Sequence, residues 1–372
     1  MADLKIELTN IEFKNPVMVA AGPPSRNASM IKKCVEGGAG GAVSKTISTV
    51  AAEIPKPCMA EYKHSFLNTE LWSELSPKHW IEKEYKEAKK CGAPLIIGLG
   101  YTTKELTELI PKVEKFADAF EISTHYIGRD LTPVINTLKA VRVCTNKPIF
   151  AKLSPGIPDI EELGKTLEEI GIDGLVAINS VGPCLKIDIE SGLPAMGSKE
   201  GYGWMSGAAI RPIALRHIYE LAKVVNIPII GVGGVTSGKD VVEMFMAGAS
   251  AVQVCTQAIV EGPQAFNRIN KELNNWLDEH GYDSIDEIKG ITIEKMKKRE
   301  SANYITNVPK IEKNKCVGCK RCVKSCVYQA ISMVDDKAVI DETKCFGCGL
   351  CVTRCNTNAI MLTNQASQEY SY

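Results

Sequence analysis

The chain has 372 residues, and its 44 lysines and arginines balance 44 aspartates and glutamates, so the formal net charge is zero. This balance argues against a general attraction to nucleic acid or anionic membrane and favours a small-molecule substrate. The N-terminus lacks a continuous apolar run, and no later stretch approaches the roughly 20 apolar residues that cross a bilayer, so we expect a cytoplasmic protein.

From about residue 15 to 265, short β-branched runs alternate with longer amphipathic stretches, which is the pattern of βα units around a parallel sheet. Eight runs read as strands: PVMVAA near residues 16–21, GGAVSKT ending at Thr46, PLIIGL from Pro94, DAFEIS from Asp118, PIFAKLS from Pro148, GLVAINS from Gly174, PIIGVGG from Pro228 and AVQVCT from Ala251. Eight strands with helical crossovers predict an α/β fold, the (β/α)8 TIM barrel.

Two connections, residues 47–93 and 181–215, are unusually long, and long βα loops in a barrel usually build the substrate site. Residues 263–310 read as helix and then linker, and a cysteine-rich module follows. We expect the barrel at residues 1–305, the cysteine-rich domain at 306–365 and a disordered tail at 366–372.

The C-terminal module contains CVGCKRCVKSC and then CFGCGLCVTRC, both of the form CxxCxxCxxxC. This spacing is typical of a bacterial ferredoxin-like domain with two [4Fe–4S] clusters, in which the fourth cysteine of each run binds the other cluster. The predicted ligand sets are Cys316, Cys319, Cys322 and Cys355 for the first cluster, and Cys345, Cys348, Cys351 and Cys326 for the second. Paired structural zinc ribbons are the alternative, but they usually need only two CxxC pairs per metal and often include histidine.

Glycines follow predicted strand seven at Gly233 and Gly234, and strand eight ends in Cys255 and Thr256. Backbone amides at these two strand ends form the phosphate site of many barrels, so we expect these four residues to bind a phosphate. A phosphate-bearing flavin at this place would exchange electrons with the clusters.

The barrel resembles the FMN barrels of dihydroorotate dehydrogenases, and most closely the C-terminal half of dihydropyrimidine dehydrogenases, over nearly the whole chain. The resemblance rests on SKT at 44–46, SFLNTEL at 65–71, FAKLSP at 150–155, INS at 178–180, SGAAIRPIALR from Ser206, and the GG and QVCT segments. It implies that Lys45 and Lys152 contact the flavin, with Lys152 at its N1 and O2 edge as a catalytic cation. It further assigns Ala21, Gly22, Thr46, Asn179, Ser206 and Gly207 to FMN, and Asn68, Ser123, Asn179 and Ser180 to the substrate.

The stretch FEISTHYIGRD departs from these relatives, in which strand four is followed by an asparagine, a serine and the cysteine that transfers a proton. Ser123, His125 and Tyr126 occupy the three positions here. Reduction of a polarised double bond by a flavin needs a general acid opposite the hydride, so we expect Tyr126 or His125 to supply the proton. The alternative is that the loop has a different structure and that neither residue is catalytic.

The resemblance predicts an enzyme that reduces, or in reverse forms, a C=C bond next to a carbonyl in a small cyclic amide, as dihydropyrimidine dehydrogenase does. Alternatives are dihydroorotate oxidation, tRNA dihydrouridine synthesis and a purely electron-transferring subunit. No GxGxxG motif follows an opening strand, so electrons must be exchanged with a separate protein, either an NAD(P)H-dependent flavoprotein subunit or a ferredoxin. The resemblance also implies a homodimer or larger complex, while the balanced charge argues against nucleic acid or membrane partners.

Overall fold

The structure is a computed structural model that describes residues 2–63, 65–124, 128–300 and 308–362. It divides into two compact units, Met1–Ile293 and Glu294–Tyr372, which are treated separately below. No helix in these described ranges is long and apolar enough to cross a membrane.

The strands of the first unit begin with a short antiparallel hairpin and continue through the barrel and its insertions. They are β1 (Ile6–Leu8), β2 (Ile11–Phe13), β3 (Val17–Val19), β4 (Ala42–Val43), β5 (Met59–Tyr62), β6 (Ser65–Asn68), β7 (Leu95–Leu99), β8 (Ala119–Ser123), β9 (Ile149–Leu153), β10 (Gly174–Ala177), β11 (Val181–Cys184), β12 (Gly203–Ser206), β13 (Ile229–Val232) and β14 (Ala251–Val254). The second unit adds β15 (Lys310–Ile311), β16 (Ile331–Val334), β17 (Lys337–Ile340) and β18 (Ile360–Met361).

The α-helices are α1 (Ala28–Glu36), α2 (Pro77–His79), α3 (Tyr85–Ala88), α4 (Thr103–Val113), α5 (Thr132–Val143), α6 (Ile160–Glu169), α7 (Arg211–Ala222), α8 (Gly238–Met246), α9 (Thr256–Val260), α10 (Ala265–Glu279), α11 (Ile291–Glu300), α12 (Arg321–Ser325) and α13 (Leu350–Thr353). One π-helical turn covers Trp80–Glu84, and 3₁₀ turns cover Pro23–Ser25, Lys89–Cys91, Glu114–Phe116, Ala208–Ile210 and Ile285–Ile288.

Eight parallel strands close into a barrel in the order β3, β4, β7, β8, β9, β10, β13, β14. Each falls inside one of the eight runs predicted as strands, so the predicted barrel fold is confirmed. The amphipathic stretches after the fifth and seventh barrel strands form α6 and α8, and both helices begin at a side-chain cap. The Asp159 carboxylate accepts from the Glu162 amide at 2.9 Å, and the Ser237 hydroxyl accepts from the Asp240 amide.

The barrel wall separates two environments because successive strand residues face opposite sides. On β8, Phe120 and Ile122 are buried in the apolar cluster that includes the surrounding helices, whereas Glu121 and Ser123 face the other side. Glu121 pairs in register with Phe150, and Ser123 with Lys152, so these side chains share the inner face. The barrel interior therefore contains polar groups in an otherwise apolar core.

The two long connections build a four-stranded antiparallel sheet in the order β11, β12, β6, β5. Strands β5 and β6 come from the first connection, and β11 and β12 come from the second. Trp204 pairs with Asn68 and Met205 with Leu67 across the centre of this sheet. Because both connections leave the carboxyl ends of barrel strands, the sheet lies beside the mouth of the barrel.

Candidate active site and cluster sites

A cavity opens at the carboxyl ends of the barrel strands, and every barrel strand contributes a residue within two positions of its end. Thirteen of the residues predicted for cofactor or substrate line it: Ala21, Gly22, Lys45, Thr46, Asn68, Ser123, Lys152, Asn179, Ser180, Ser206, Gly233, Cys255 and Thr256. Gly207 and Gly234 do not line it but follow lining residues directly. His125 and Tyr126 lie outside the described residues, so their predicted role stays a prediction.

One end of the cavity has the close backbone approach that a phosphate group requires. Gly233 and Gly234 adopt φ angles of 127° and 79°, which side chains other than glycine rarely adopt. The Ser206 and Thr256 hydroxyls lie 2.8 Å apart beside them. A Cβ on Gly22 would lie 2.8 Å from the Cys255 Sγ, so there is no room for a side chain at this position. Glycine backbone and hydroxyl groups together fit the phosphate end of FMN.

A buried polar network lies at the inner end of the cavity. Lys152 Nζ donates to Glu121 Oε1 at 3.0 Å, and Gln253 Nε2 donates to Glu121 Oε2 at 2.6 Å. The exposed fractions of the three residues are 9% for Lys152, 1% for Glu121 and 1% for Gln253. Burying a carboxylate is costly unless it is paired and hydrogen-bonded, and here both of its oxygens are satisfied. The network holds a lysine ammonium at the cavity, as the flavin prediction requires.

The second predicted flavin lysine is neutralised by two carboxylates. Lys45 Nζ lies 2.7 Å from Glu70 Oε2 and 2.9 Å from Glu74 Oε2, and its side chain is 4% exposed. Partial burial acts to raise the pKa of Glu74, but hydrogen bonds from Lys45 and from the backbone outweigh it and leave the pKa below its usual range. Glu70 lines the cavity, whereas Glu74 does not. A ligand in the cavity therefore meets an ion pair at Lys45.

The two asparagines predicted for the substrate are held by backbone groups. Asn68 Nδ2 donates to the Trp204 carbonyl at 3.2 Å, and its Oδ1 accepts from the Glu70 amide at 3.2 Å. Asn179 Oδ1 accepts from the Ser180 amide at 2.9 Å, which leaves its amino group available as a donor toward the cavity. Amide side chains of fixed orientation suit the alternating carbonyl and N–H groups of a cyclic amide.

Residues that the sequence did not single out complete the wall. Tyr101 follows β7, and its ring meets Trp72 edge to face at a centroid distance of 5.6 Å. Burial, and to a smaller extent the negative charge of Glu105, raises the pKa of Tyr101 to about 12, so its phenol is protonated near neutral pH. Burial also raises the pKa of the Cys255 thiol to about 11. Both side chains are therefore uncharged near neutral pH.

Five side chains that line the cavity or belong to its polar network were not predicted from the sequence: Glu70, Tyr101, Glu121, Trp204 and Gln253. Glu70 and Gln253 stand inside the SFLNTEL and QVCT segments that carried the resemblance, and only their contacts distinguish them from neighbours. Glu121 interrupts an otherwise apolar strand, and this inward charge was the one available signal. Tyr101 and Trp204 belong to no local sequence pattern, because they reach the cavity from distant segments, the loop after β7 and the antiparallel sheet.

In the second unit the eight predicted cluster cysteines surround two separate cavities. The first cavity is lined by Cys316, Cys319, Cys322 and Cys355, and the second by Cys326, Cys345, Cys348 and Cys351. Each set thus combines three cysteines of one run with the fourth of the other. In the described part of the chain, no group of three or more His, Cys, Asp or Glu side chains is spaced to hold a single metal ion.

The two cysteine runs and the residues just after them share positive φ angles at matching positions. Gly318 and Gly347 have φ angles of 70° and 75°, and Gln329 and Asn358 both have 52°. The Ala330 amide donates to Cys326 Sγ at 3.3 Å, and the Ala359 amide donates to Cys355 Sγ at 3.2 Å. Backbone amides that donate to thiolates stabilise the negative charge of an iron–sulfur cluster. The internal twofold pattern fits two equivalent clusters.

Known proteins agree with both units. Residues 3–277 match the family model described as dihydroorotate dehydrogenase, and residues 315–359 match a 4Fe-4S dicluster domain. The curated relatives include the catalytic subunits of dihydroorotate dehydrogenase B (NAD(+)) from Pyrococcus abyssi, 35% identical over 78% of this chain and 99% of the relative, and from Thermococcus kodakarensis, 34% identical over 79% and 99%. The Methanosarcina mazei subunit is 36% identical over 78% of this chain and 96% of its own length. The chain therefore belongs to the dihydroorotate dehydrogenase family, as an oxidoreductase acting on CH–CH bonds whose FMN barrel is fused to a domain for two [4Fe–4S] clusters.

Proposed function

We propose that this chain interconverts a CH–CH bond and a C=C bond next to a carbonyl in a small cyclic amide, and that dihydroorotate is its first candidate substrate. The observation that carries the chemistry is the convergence of Lys152, Asn68 and Asn179 on one cavity at the carboxyl face of the barrel. The support for dihydroorotate comes from the relatives, which are described as dihydroorotate dehydrogenase B catalytic subunits.

The relatives revise the order of the expectations drawn from sequence. The motifs placed the chain nearest to dihydropyrimidine dehydrogenase, with dihydroorotate oxidation as an alternative, whereas the curated relatives favour that alternative. The departure of the strand-four segment from the families that the barrel resembles, whose asparagine and cysteine it lacks, argues against dihydroorotate. A family member at about one-third identity can carry a different loop on the same barrel, because βα loops vary independently of the strands.

We propose the following roles for the residues at the cavity. Bound FMN supplies the hydride chemistry at the substrate carbon. The Lys152 ammonium, held by Glu121, places a positive charge where negative charge accumulates on reduction. Asn68, Asn179 and Ser180 orient the substrate through its carbonyl and N–H groups. Gly22, Gly233 and Thr256 hold the cofactor phosphate end.

The proton on the opposite face comes, in this proposal, from Tyr126 or His125. Both follow β8, whose last residue, Ser123, lines the cavity. Tyr101 also lines the cavity, so its phenol is a third candidate for the proton donor. The variants Tyr126→Phe, His125→Ala and Tyr101→Phe separate these options. Loss of the proton donor slows reoxidation of the reduced flavin by the unsaturated substrate by about 100-fold or more, while the other two variants retain it.

One observation favours a second candidate substrate, a neutral dihydropyrimidine. Dihydroorotate carries a carboxylate, and the lysine that could bind it, Lys45, is already paired with Glu70 and Glu74. A ring without a carboxylate avoids repulsion by Glu70 and can donate a ring N–H to it. The alternative substrate therefore rests on the charge of the cavity and the leading one on the relatives.

We propose that the eight cysteines bind the two clusters in the crossed sets that line the two cavities, and that the clusters pass electrons between FMN and a separate protein. An NAD(P)H-dependent flavoprotein subunit is the favoured partner, because the relatives are described as catalytic subunits of NAD(+) enzymes. A ferredoxin is the alternative. We further propose a homodimer or larger complex.

The substrate is tested by anaerobic titration of the purified holoenzyme with dihydroorotate and, separately, with dihydrouracil, while the flavin absorbance is recorded. Bleaching by dihydroorotate supports the leading proposal, and bleaching by dihydrouracil alone supports the second. Full FMN and iron content with no bleaching by either compound would overturn both substrates while leaving the cofactor assignment intact.

A further inference from the structure

The polar network inside the barrel fixes the direction of one amide group. An ionised carboxylate can only accept hydrogen bonds, so Gln253 must turn its Nε2 toward Glu121, where the two atoms lie 2.6 Å apart. The carbonyl oxygen of the same amide then points away from Glu121. Glu121 is 1% exposed and pairs through its other oxygen with Lys152, so it has no freedom to turn and release the amide.

The Gln253 Oε1 is buried and has no hydrogen-bond donor among the described residues. A buried carbonyl without a donor is rare and costly, and it is usually explained by a ligand, an ion or an ordered water. Gln253 lines the cavity together with Lys152, and it immediately precedes Val254, Cys255 and Thr256, which also line it. The missing donor is therefore expected from whatever occupies the cavity.

The pyrimidine portion of the FMN ring system has two carbonyls and a single N–H between them. A cation and a carbonyl acceptor, side by side, are complementary to this edge: the cation faces a ring carbonyl, and the acceptor faces the N–H. Lys152 Nζ and Gln253 Oε1 provide this pair because both side chains are held by the same carboxylate. Glu121 on β8 and Gln253 on β14 lie on opposite sides of the barrel, because β3, β4 and β7 separate these two strands in the closed eight-stranded sheet.

We propose that Gln253 binds FMN by accepting a hydrogen bond from its ring N–H, and that Glu121 is the positioning residue that orients both Gln253 and Lys152 toward the ring. This inference rests on FMN as the cofactor and is independent of the substrate. Glu121 also sets the charge that the ring meets, because it offsets the Lys152 ammonium.

The experiment is a competition between two flavins on the holoenzyme, without substrate. Under anaerobic conditions the enzyme is equilibrated with an equimolar excess of FMN and 3-methyl-FMN, which lacks the ring N–H, and the bound flavin is identified after gel filtration. We expect the wild type to prefer FMN over 3-methyl-FMN by at least tenfold. Gln253→Ala removes the acceptor and makes room for the methyl group, so this variant should prefer FMN by about twofold or less. A wild type that binds both flavins equally, or an unchanged preference in Gln253→Ala, would overturn the assignment, because a water or another group would then satisfy Oε1.

Glu121→Gln tests the positioning role with little change in size. Its new amide can donate or accept, so Gln253 is no longer held in one direction and the preference for FMN falls. The midpoint potential of the bound flavin rises as well, because the negative charge beside Lys152 is gone. A variant that is less stable but keeps the wild-type preference and potential would show a merely structural carboxylate.

Asn270→Ala is the matched control. Among the described residues Asn270 also has a buried oxygen without a donor, but it lies on α10 and does not line the cavity, so its variant should retain the wild-type preference. A loss of preference in this control would count against the proposal.

Discussion

Replacing Glu70 by glutamine changes the charge of the cavity without changing its shape. Two cations, Lys45 and Lys152, face three carboxylates, Glu70, Glu74 and Glu121, of which Glu70 alone lines the cavity. A bound carboxylate therefore meets an excess of negative charge in the wild type, and Glu70→Gln balances the two signs. We expect the variant to bind orotate more tightly than the wild type does.

The magnitude follows from the distance across the cavity. A unit charge at about 6 Å contributes about 3 kcal/mol at an effective dielectric constant of about 20. Glu70 is only 14% exposed, but Lys45 already offsets part of its charge, so we take about 1–2 kcal/mol as the net effect. This corresponds to roughly 5- to 30-fold tighter binding of orotate. Uracil, whose ring N–H then meets a neutral acceptor in place of a charged one, should bind a few-fold more weakly.

The assay is an anaerobic titration of the oxidised holoenzyme with orotate and with uracil, followed through the shift in the flavin spectrum. Glu74→Gln is the matched control, because it removes the same charge from the same lysine but lies outside the cavity lining and is 36% exposed. Its effect on the orotate-to-uracil ratio should stay below about threefold. A Glu70→Gln enzyme whose ratio equals that of the wild type, or moves toward uracil, would refute the charge argument.

Three further predictions concern the clusters, the fold and the cofactor cradle. Cys355→Ser should lower the iron content from eight to about four per chain. Adding Cys326→Ser should remove both clusters, whereas adding Cys316→Ser should cause no further loss of iron. Chemical iron analysis measures this, and equal iron loss in the two double variants would contradict the crossed ligand sets. Burial acts to raise the pKa of Glu105, but hydrogen bonds from Ser48, Thr102 and the Tyr101 amide lower it to about 2, so its contribution is complete above pH 4.5 and is lost as the pH falls toward 2. Glu105→Gln should therefore destabilise the barrel by about 1–2 kcal/mol at pH 7, after allowance for solvent screening, and the difference from wild type in urea unfolding should shrink with acidification; a difference that grows would contradict this sign. Gly234→Ala would place a Cβ 2.7 Å from Arg211 Cβ at a φ of 79°, so the purified variant should retain less than a tenth of the wild-type FMN, and normal FMN content would show that the turn tolerates a side chain.

The sequence predicted the barrel well because its strands are short β-branched runs with clear flanking signals. Each of the eight, from β3 to β14, lies within a predicted run, and the cysteine spacing alone predicted which four residues would meet at each cluster cavity. These patterns are local, or they repeat with a fixed spacing, and such features are the ones that sequence reasoning handles best.

The antiparallel sheet beside the cavity was not predicted, because its strands are four residues long and pair over large sequence separations. Trp204 pairs with Asn68 across more than one hundred residues, and MAEY at β5 has no strand-like alternation. The ion pairs at Lys45 and the amide direction at Gln253 also depend on contacts between distant segments. Sequence reasoning therefore identified the lysines and asparagines of the site but not the carboxylates that set its charge.

The central claim is that the barrel holds an FMN that exchanges electrons with a CH–CH bond next to a carbonyl. The most direct measurement is anaerobic mixing of the purified holoenzyme with dihydroorotate and, in a parallel sample, with dihydrouracil, after the released flavin has been identified and the iron counted. The account predicts FMN, eight irons per chain and bleaching of the flavin by at least one of the two compounds, with its colour restored by the corresponding unsaturated ring. A purified protein without flavin, or a flavin that neither compound reduces, would contradict it.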